Sequence, residues 1–186
     1  MAVCRAGICL LMGGPVVMGQ PAAAGHRLNA GLTSFFVGHW TGEGAFANGR
    51  TIAADLSFAL SLDSCWLVYE HRDRAPNRYK ATSMWSVDRV TGEFVAYCFD
   101  NFQGHRLFSG NGAGGAGGAD GADAAGNGWK EGKLVLSRQA SAPQVGIYFE
   151  RFVYERLSET QFKMTYETSR DSTAWQVGDW LVFTRS

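Results

Sequence analysis

Histidine, carboxylate, cysteine and serine are the side chains in this sequence that could do chemistry if brought together. His39, His71 and His105 are scattered, and no Cys-x-x-Cys pair occurs, whereas metal sites draw on clustered donors at short spacing. Ser109 stands in Phe108-Ser109-Gly110, which lacks the first glycine of a nucleophile elbow, a strand-to-helix device. Glu150 and Glu155 are an odd number of residues apart, which puts them on opposite faces of a strand. His71, Tyr79 and Asp100 remain, with Tyr69, Ser83, Trp85 and Leu67 close by in pattern and Arg151 among aromatics further on. An apolar wall carrying a few convergent polar groups is the usual form of a small-molecule site. His71 and Asp100 are also the pair that acid–base catalysis would use, if they came within hydrogen-bond reach.

The elements that must position these residues are strands. In Thr51 to Leu62, Ile52, Ala54, Leu56, Phe58, Leu60 and Leu62 alternate with polar or small residues, the period-2 signature of a half-buried strand. Similar segments recur near 38–47, 65–74, 79–88, 93–101, 104–110, 129–138, 145–157, 161–171 and 174–185, separated by turn residues such as Asn48-Gly49, Pro76-Asn77 and Thr91-Gly92. A short helix around Asn29 to Phe36 precedes them. The fold class expected is all-β: an antiparallel up-and-down barrel of about ten strands, since closure removes the exposed edges.

Hairpin turns centred near Pro76 and between Val90 and Thr91 place Tyr69 opposite Ser83, and Ser83 opposite Cys98. One face then carries Cys65, Leu67, Tyr69, His71, Tyr79, Ala81, Ser83, Trp85, Val87, Phe94, Ala96, Cys98 and Asp100; the other carries Glu70, Arg72, Lys80, Thr82 and Ser86. The first is assigned to the interior. In this register Cys65 and Cys98 lie roughly 16 Å apart, beyond the ~7 Å that a disulfide spans. Two free thiols are expected.

The chain has 186 residues, 46% hydrophobic and 18% charged, with 17 basic and 17 acidic side chains. That balance offers no field to attract nucleic acid. Residues 1–24 differ from the rest: Arg5, then an apolar stretch from Ala6 to Gly19, then Ala22-Ala23-Ala24. This is the order of a removable secretory signal, and the apolar stretch is too short to span a bilayer. The expectation is a periplasmic or secreted single domain over 25–186, with no membrane span in the mature chain. Residues 110–128, rich in glycine and alanine, have almost nothing to bury and read as a flexible loop inserted in a hairpin.

Gly38-His39-Trp40 on the first strand resembles the Gly-x-Trp motif of lipocalins and other calycin barrels, and Phe183-Thr184-Arg185 supplies the arginine that such barrels stack on the tryptophan. Trp85-Ser86-Val87-Asp88, Thr91-Gly92-Glu93-Phe94, Phe99-Asp100-Asn101-Phe102-Gln103-Gly104 and Ser169-Arg170-Asp171 extend the pattern. Over residues 32–186 the chain resembles a bacterial lipocalin-like family of unknown function, architecturally related to nitrobindin. The resemblance implies a barrel closed at one end by Trp40 and Arg185. Nitrobindin-like proteins hold haem through a histidine on a late strand, and no histidine follows His105 here, so no cofactor is expected. The functional expectation is a barrel holding a small apolar or amphipathic molecule in its lumen, with Leu67, Tyr69, His71, Tyr79, Ser83, Trp85, Asp100 and Arg151 as lining. The alternatives are a filled barrel that works as a scaffold, and an enzyme using His71 and Asp100.

Overall fold

A computed structural model describes residues 27–110 and 129–186. The proposed signal segment and the Gly/Ala-rich loop, apart from Gly110, lie outside the described residues. The order is a helix α1 (Ala30–Phe36) and ten strands: β1 (Gly38–Phe46), β2 (Thr51–Ser61), β3 (Trp66–Asp73), β4 (Lys80–Val87), β5 (Phe94–Asp100), β6 (His105–Gly110), β7 (Lys133–Ala142), β8 (Gly146–Arg156), β9 (Gln161–Ser169) and β10 (Trp175–Arg185). Each strand pairs antiparallel with the next, and β1 pairs with β10, so the meander closes into a barrel. The expected register holds: Tyr69 faces Ser83, and Ser83 faces Cys98.

Alternation explains the strands. In β2, Ile52, Ala54, Leu56 and Phe58 are buried while Thr51, Asp55 and Ala59 are exposed. The pattern then fails, because Leu60 and Leu62 are 43% and 62% exposed. The chain has run past the end of the barrel there, and it turns through Leu62, Asp63 and Ser64, all at positive φ. The seventh strand begins at Lys133 and not near Trp129 as the sequence pattern suggests. Glu131 and Gly132 adopt positive φ in a tight turn, and Trp129 instead packs edge-on against Phe35 at 5.1 Å.

One end of the barrel is plugged by aromatic rings. Asn29 caps α1 by accepting from the Gly31 N–H at 2.7 Å, and the helix buries Leu32, Phe35 and Phe36. Phe36 sits among Phe58 (4.8 Å between centroids), Trp85 (5.3 Å) and Phe162 (5.4 Å). Trp40 donates its indole N–H to the Phe36 carbonyl at 2.8 Å, and the Arg185 guanidinium lies 4.3 Å above the Trp40 ring. Arg185 also donates to the Val37 carbonyl at 2.7 Å and to the Phe35 carbonyl, tying the helix C-terminus to the last strand. Gly38 has φ +130°, a conformation L side chains avoid, which is the physical reason for glycine in Gly-x-Trp.

The other conspicuous motifs build turns at the opposite ends of strands. Asp88 accepts from the N–H groups of Val90 and Thr91, both at 2.8 Å. Asp171 accepts from Thr173 (2.8 Å) and Ala174 (2.9 Å), and these bonds hold its carboxyl far below the usual carboxylate range. The barrel wall is uneven. Among the described residues β6 and β7 share two register pairs, Ser109–Ser137 and Gly110–Leu136. On the mouth side of these pairs His105 to Phe108 have no register partner on β7, and Arg138 lies 5.8 Å from the Phe108 ring. Cys65 is an exposed thiol and Cys98 a buried one.

Candidate functional site

Away from α1 the barrel interior widens into a cavity of about 420 Å³. Side-chain size along β4 and β5 explains it. The inward residues near the closed end are Trp85 and Phe94, but toward the mouth they are Ala81, Ser83, Ala96 and Cys98. Trp85, Tyr154 and Leu181 lie deep and buried among its lining, with Phe108, Phe152 and Met164 as further apolar lining, and Phe46, Arg50, Asn77, Arg78 and Phe102 belong to the mouth. Trp85 donates its indole N–H to Ser83 Oγ at 3.0 Å, and Ser83 donates to the Tyr97 carbonyl at 2.7 Å, so the polar atoms of this wall are satisfied.

Three polar groupings border the cavity. Tyr69 Oη and His71 Nδ1 are 2.9 Å apart, and His71 Nε2 is 2.7 Å from Asp73 Oδ1. Both side chains of the His71–Asp73 pair are almost fully buried. With neutral His71 the hydrogens fall in one order: Tyr69 O–H donates to Nδ1, and Nε2–H donates to Asp73. Burial pushes the Tyr69 hydroxyl well above its ordinary pKa, keeping it a donor. Asp179 borders the same cavity from β10, where the register shifts between Val177 and Asp179 at a bulge containing Gly178. Bulges of this kind re-aim a side chain. Burial raises the Asp179 carboxyl to about 6, with His71 opposing the rise and Asp73 adding to it.

The second grouping centres on Arg106, which donates to Tyr79 Oη at 2.7 Å and pairs with Asp100 at 3.3 Å. Its Nε is buried without a hydrogen-bond partner among the described residues. Burial drives the Tyr79 hydroxyl upward, with Arg106 opposing it, and raises the Cys98 thiol in the same way. The third reaches the cavity through Tyr166, whose hydroxyl donates at 2.7 Å to Glu150; that carboxylate, 2% exposed, lies behind the lining and also accepts from Arg138 Nε.

Five of the eight residues proposed as lining meet around this cavity: Tyr69, His71, Tyr79, Ser83 and Trp85. Three do not line it. Leu67 is fully buried on the inward face, packed in the core nearer the closed end. Asp100 lies on the inward row, but its carboxylate turns back to accept from Phe102 N (3.0 Å) and Gly104 N (2.9 Å), where Gln103 takes positive φ. Arg151 points outward, as it must between inward Glu150 and Phe152; it pairs with Glu167 at 2.5 Å and lies 3.9 Å over Trp175. The acid–base pair His71–Asp100 therefore does not form, because Asp73 holds His71 and the turn and Arg106 hold Asp100. Asp73 was within reach of sequence reasoning, being two residues from His71 on the same face.

Both ring nitrogens of His71 are engaged, one with Tyr69 and one with Asp73. Among the described residues no three His, Cys, Asp or Glu side chains converge as a metal-binding group. Nor is any described helix long and apolar enough to cross a membrane.

The molecule is thus a closed ten-strand antiparallel barrel with a plugged end and a cavity at the other. No protein-family model matches the chain. No curated protein matches it either. Among solved structures it is similar to a redesigned β-barrel, with 12% sequence identity, 83% of this chain and 94% of that chain covered, and a TM-score of 0.34.

Proposed function

We propose that this chain is an exported, lipocalin-like barrel that holds a small amphipathic molecule in its lumen. The observation that carries the reading is the cavity of about 420 Å³, lined by aromatic and aliphatic side chains with polar groups gathered toward its mouth. Its size falls in the range of small-molecule sites. A ligand's apolar body lies along Trp85, Phe152 and Tyr154, and its polar end meets the groups of Tyr69, His71, Asp73, Tyr79 and Asp179. A filled-lumen scaffold would leave no such space. The lipocalin-like assignment is supported by the Trp40–Arg185 closure, and the exported location by the signal-like order of residues 1–24.

Native mass spectrometry of protein purified from its own host tests the reading. A retained small molecule, lost from a Cys98→Trp variant that fills the cavity, is the expected result. A bare mass from the host, together with no binding of the neutral dye Nile red, overturns it.

A further inference from the structure

We propose that the polar end of the cavity is a cation site, which takes the protonated amine of an amphipathic ligand against the carboxylates of Asp179 and Asp73. This rests on the lumen-binding reading and names its ligand class.

The argument is one of charge and hydrogen-bond polarity inside a low-dielectric space. Asp179 lines the cavity and makes neither a hydrogen bond nor an ion pair among the described residues. Its neighbour across the lumen is a second carboxylate, Asp73, which is already committed through one oxygen to His71. If His71 is neutral, two carboxylates share one end of the cavity. If His71 is protonated it balances Asp73, and Asp179 is still unmatched. In either state the ionised site is short of positive charge.

The arginines that border the same cavity do not make up the shortfall. Arg106 is matched by Asp100 and Tyr79, with its Nε sealed from the lumen. Arg50, 5.6 Å from the Phe46 ring, and Arg78 are both exposed at the mouth, where solvent screens them. Beside Asp179 on β9 stands Tyr166, whose hydroxyl is already given to Glu150. His71, Asp73, Tyr166 and these three arginines are the charged and titratable groups that border the cavity with Asp179, along with Tyr69, Tyr79, Tyr154 and Cys98.

Hydrogen-bond polarity points the same way. The donors of the Tyr69–His71–Asp73 chain are spent within it, so this pole offers acceptors, and an ammonium supplies donors alone. The walls beyond are aromatic faces, Trp85 and Tyr154 among them, which suit the apolar body of such a ligand and attract its charge. Without an occupant the burial of Asp179 is relieved by protonation, in keeping with its raised carboxyl. Amine binding reverses that, so amine and proton compete.

The test is calorimetric titration with three probes that share a phenylethyl body: 2-phenylethylammonium, 2-phenylethanol and 3-phenylpropanoate. At pH 7.5 the ammonium is expected to bind at least about tenfold more tightly than the alcohol or the carboxylate. By pH 5 that preference falls roughly tenfold, since one pH unit below the Asp179 value protonates about nine in ten of its carboxyls. Asp179→Asn brings the ammonium down to the alcohol's affinity, and Asp73→Asn reduces the preference in a second, independent variant. If the alcohol or the carboxylate binds as well as the ammonium, or if Nile red binds and the ammonium does not, the amine assignment falls while the lumen reading stands. If neither the probes nor Nile red bind, both fall.

Discussion

The closed end and the mouth of this barrel are built from the same ten strands and the same inward-facing alternation, yet they solve opposite problems. At the closed end the inward positions hold Trp40, Phe58, Trp85, Phe162 and Phe183, and α1 adds Phe36, so rings fill the cross-section. At the mouth the corresponding positions on β4 and β5 shrink to alanine, serine and cysteine, and polar groups replace rings. The closed end is spent on cohesion. The mouth gives up packing and leaves Asp179 half-buried without a hydrogen bond or ion pair among the described residues.

That comparison breaks if substitutions at the two ends cost the same. The largest effect is expected for Phe36→Ala, which opens a hole among four or more rings and should destabilise by about 3–5 kcal/mol; Phe102→Ala, at an exposed mouth position, should stay within ~0.5 kcal/mol. Urea unfolding of both variants measures the difference, and equal losses would erase the distinction between the ends. Next is Arg185→Ala, which removes two charge-assisted hydrogen bonds to the helix C-terminus and the stack on Trp40, at about 2 kcal/mol. Arg185→Lys should recover only part of that, because an ammonium cannot serve both carbonyls and cover the indole at once.

The last test sharpens the comparison through pH. The Asp179 carboxyl binds its proton more tightly in the folded chain than in the unfolded one, with a folded value of about 6. Its contribution to stability is therefore present at low pH and is lost as pH rises from about 4 through 6. Asp179→Asn should flatten the stability profile over that window and leave the variant more stable than the parent above it. Thermal melts from pH 4 to 7.5 would show this, and a parent profile that climbs through the window would contradict the placement of Asp179.

Much of the architecture was legible because it rests on short-range rules. The alternation of β2, the hairpin register that sets Tyr69 against Ser83 and Cys98, and the Trp40–Arg185 closure all follow from period and turn position. Motifs such as Phe99 to Gly104 were distinctive for a local reason as well: Asp100 caps its own turn. That capping is why Asp100 misled as a lining residue. The parts that sequence reasoning missed depend on contacts across the barrel. Arg106 requires one more hairpin to be placed opposite Cys98. Asp179 requires the bulge at Gly178, and Glu150 requires Arg138 and Tyr166 from neighbouring strands. Arg151 illustrates the reverse case, since its parity with Phe152 and Tyr154 already places it outside.

The parting of β6 from β7 on the mouth side of Ser109–Ser137 has a consequence for how that rim moves. Ser109 pairs with Ser137 and Gly110 with Leu136, whereas His105 to Phe108 pair with β5 and have no register partner on β7, so this edge of the mouth is held from one side. Local opening free energies vary widely within one native structure, and few backbone bonds place a region at the low end. Native-state hydrogen exchange is expected to be faster at the facing edges of residues 105–108 and 138–142, each paired on its other side, than along the β1–β10 seam, paired from Trp40–Arg185 to Phe46–Asp179. The rim of the mouth is thus expected to be loosest beside Phe108 and Arg138, where the two strands part.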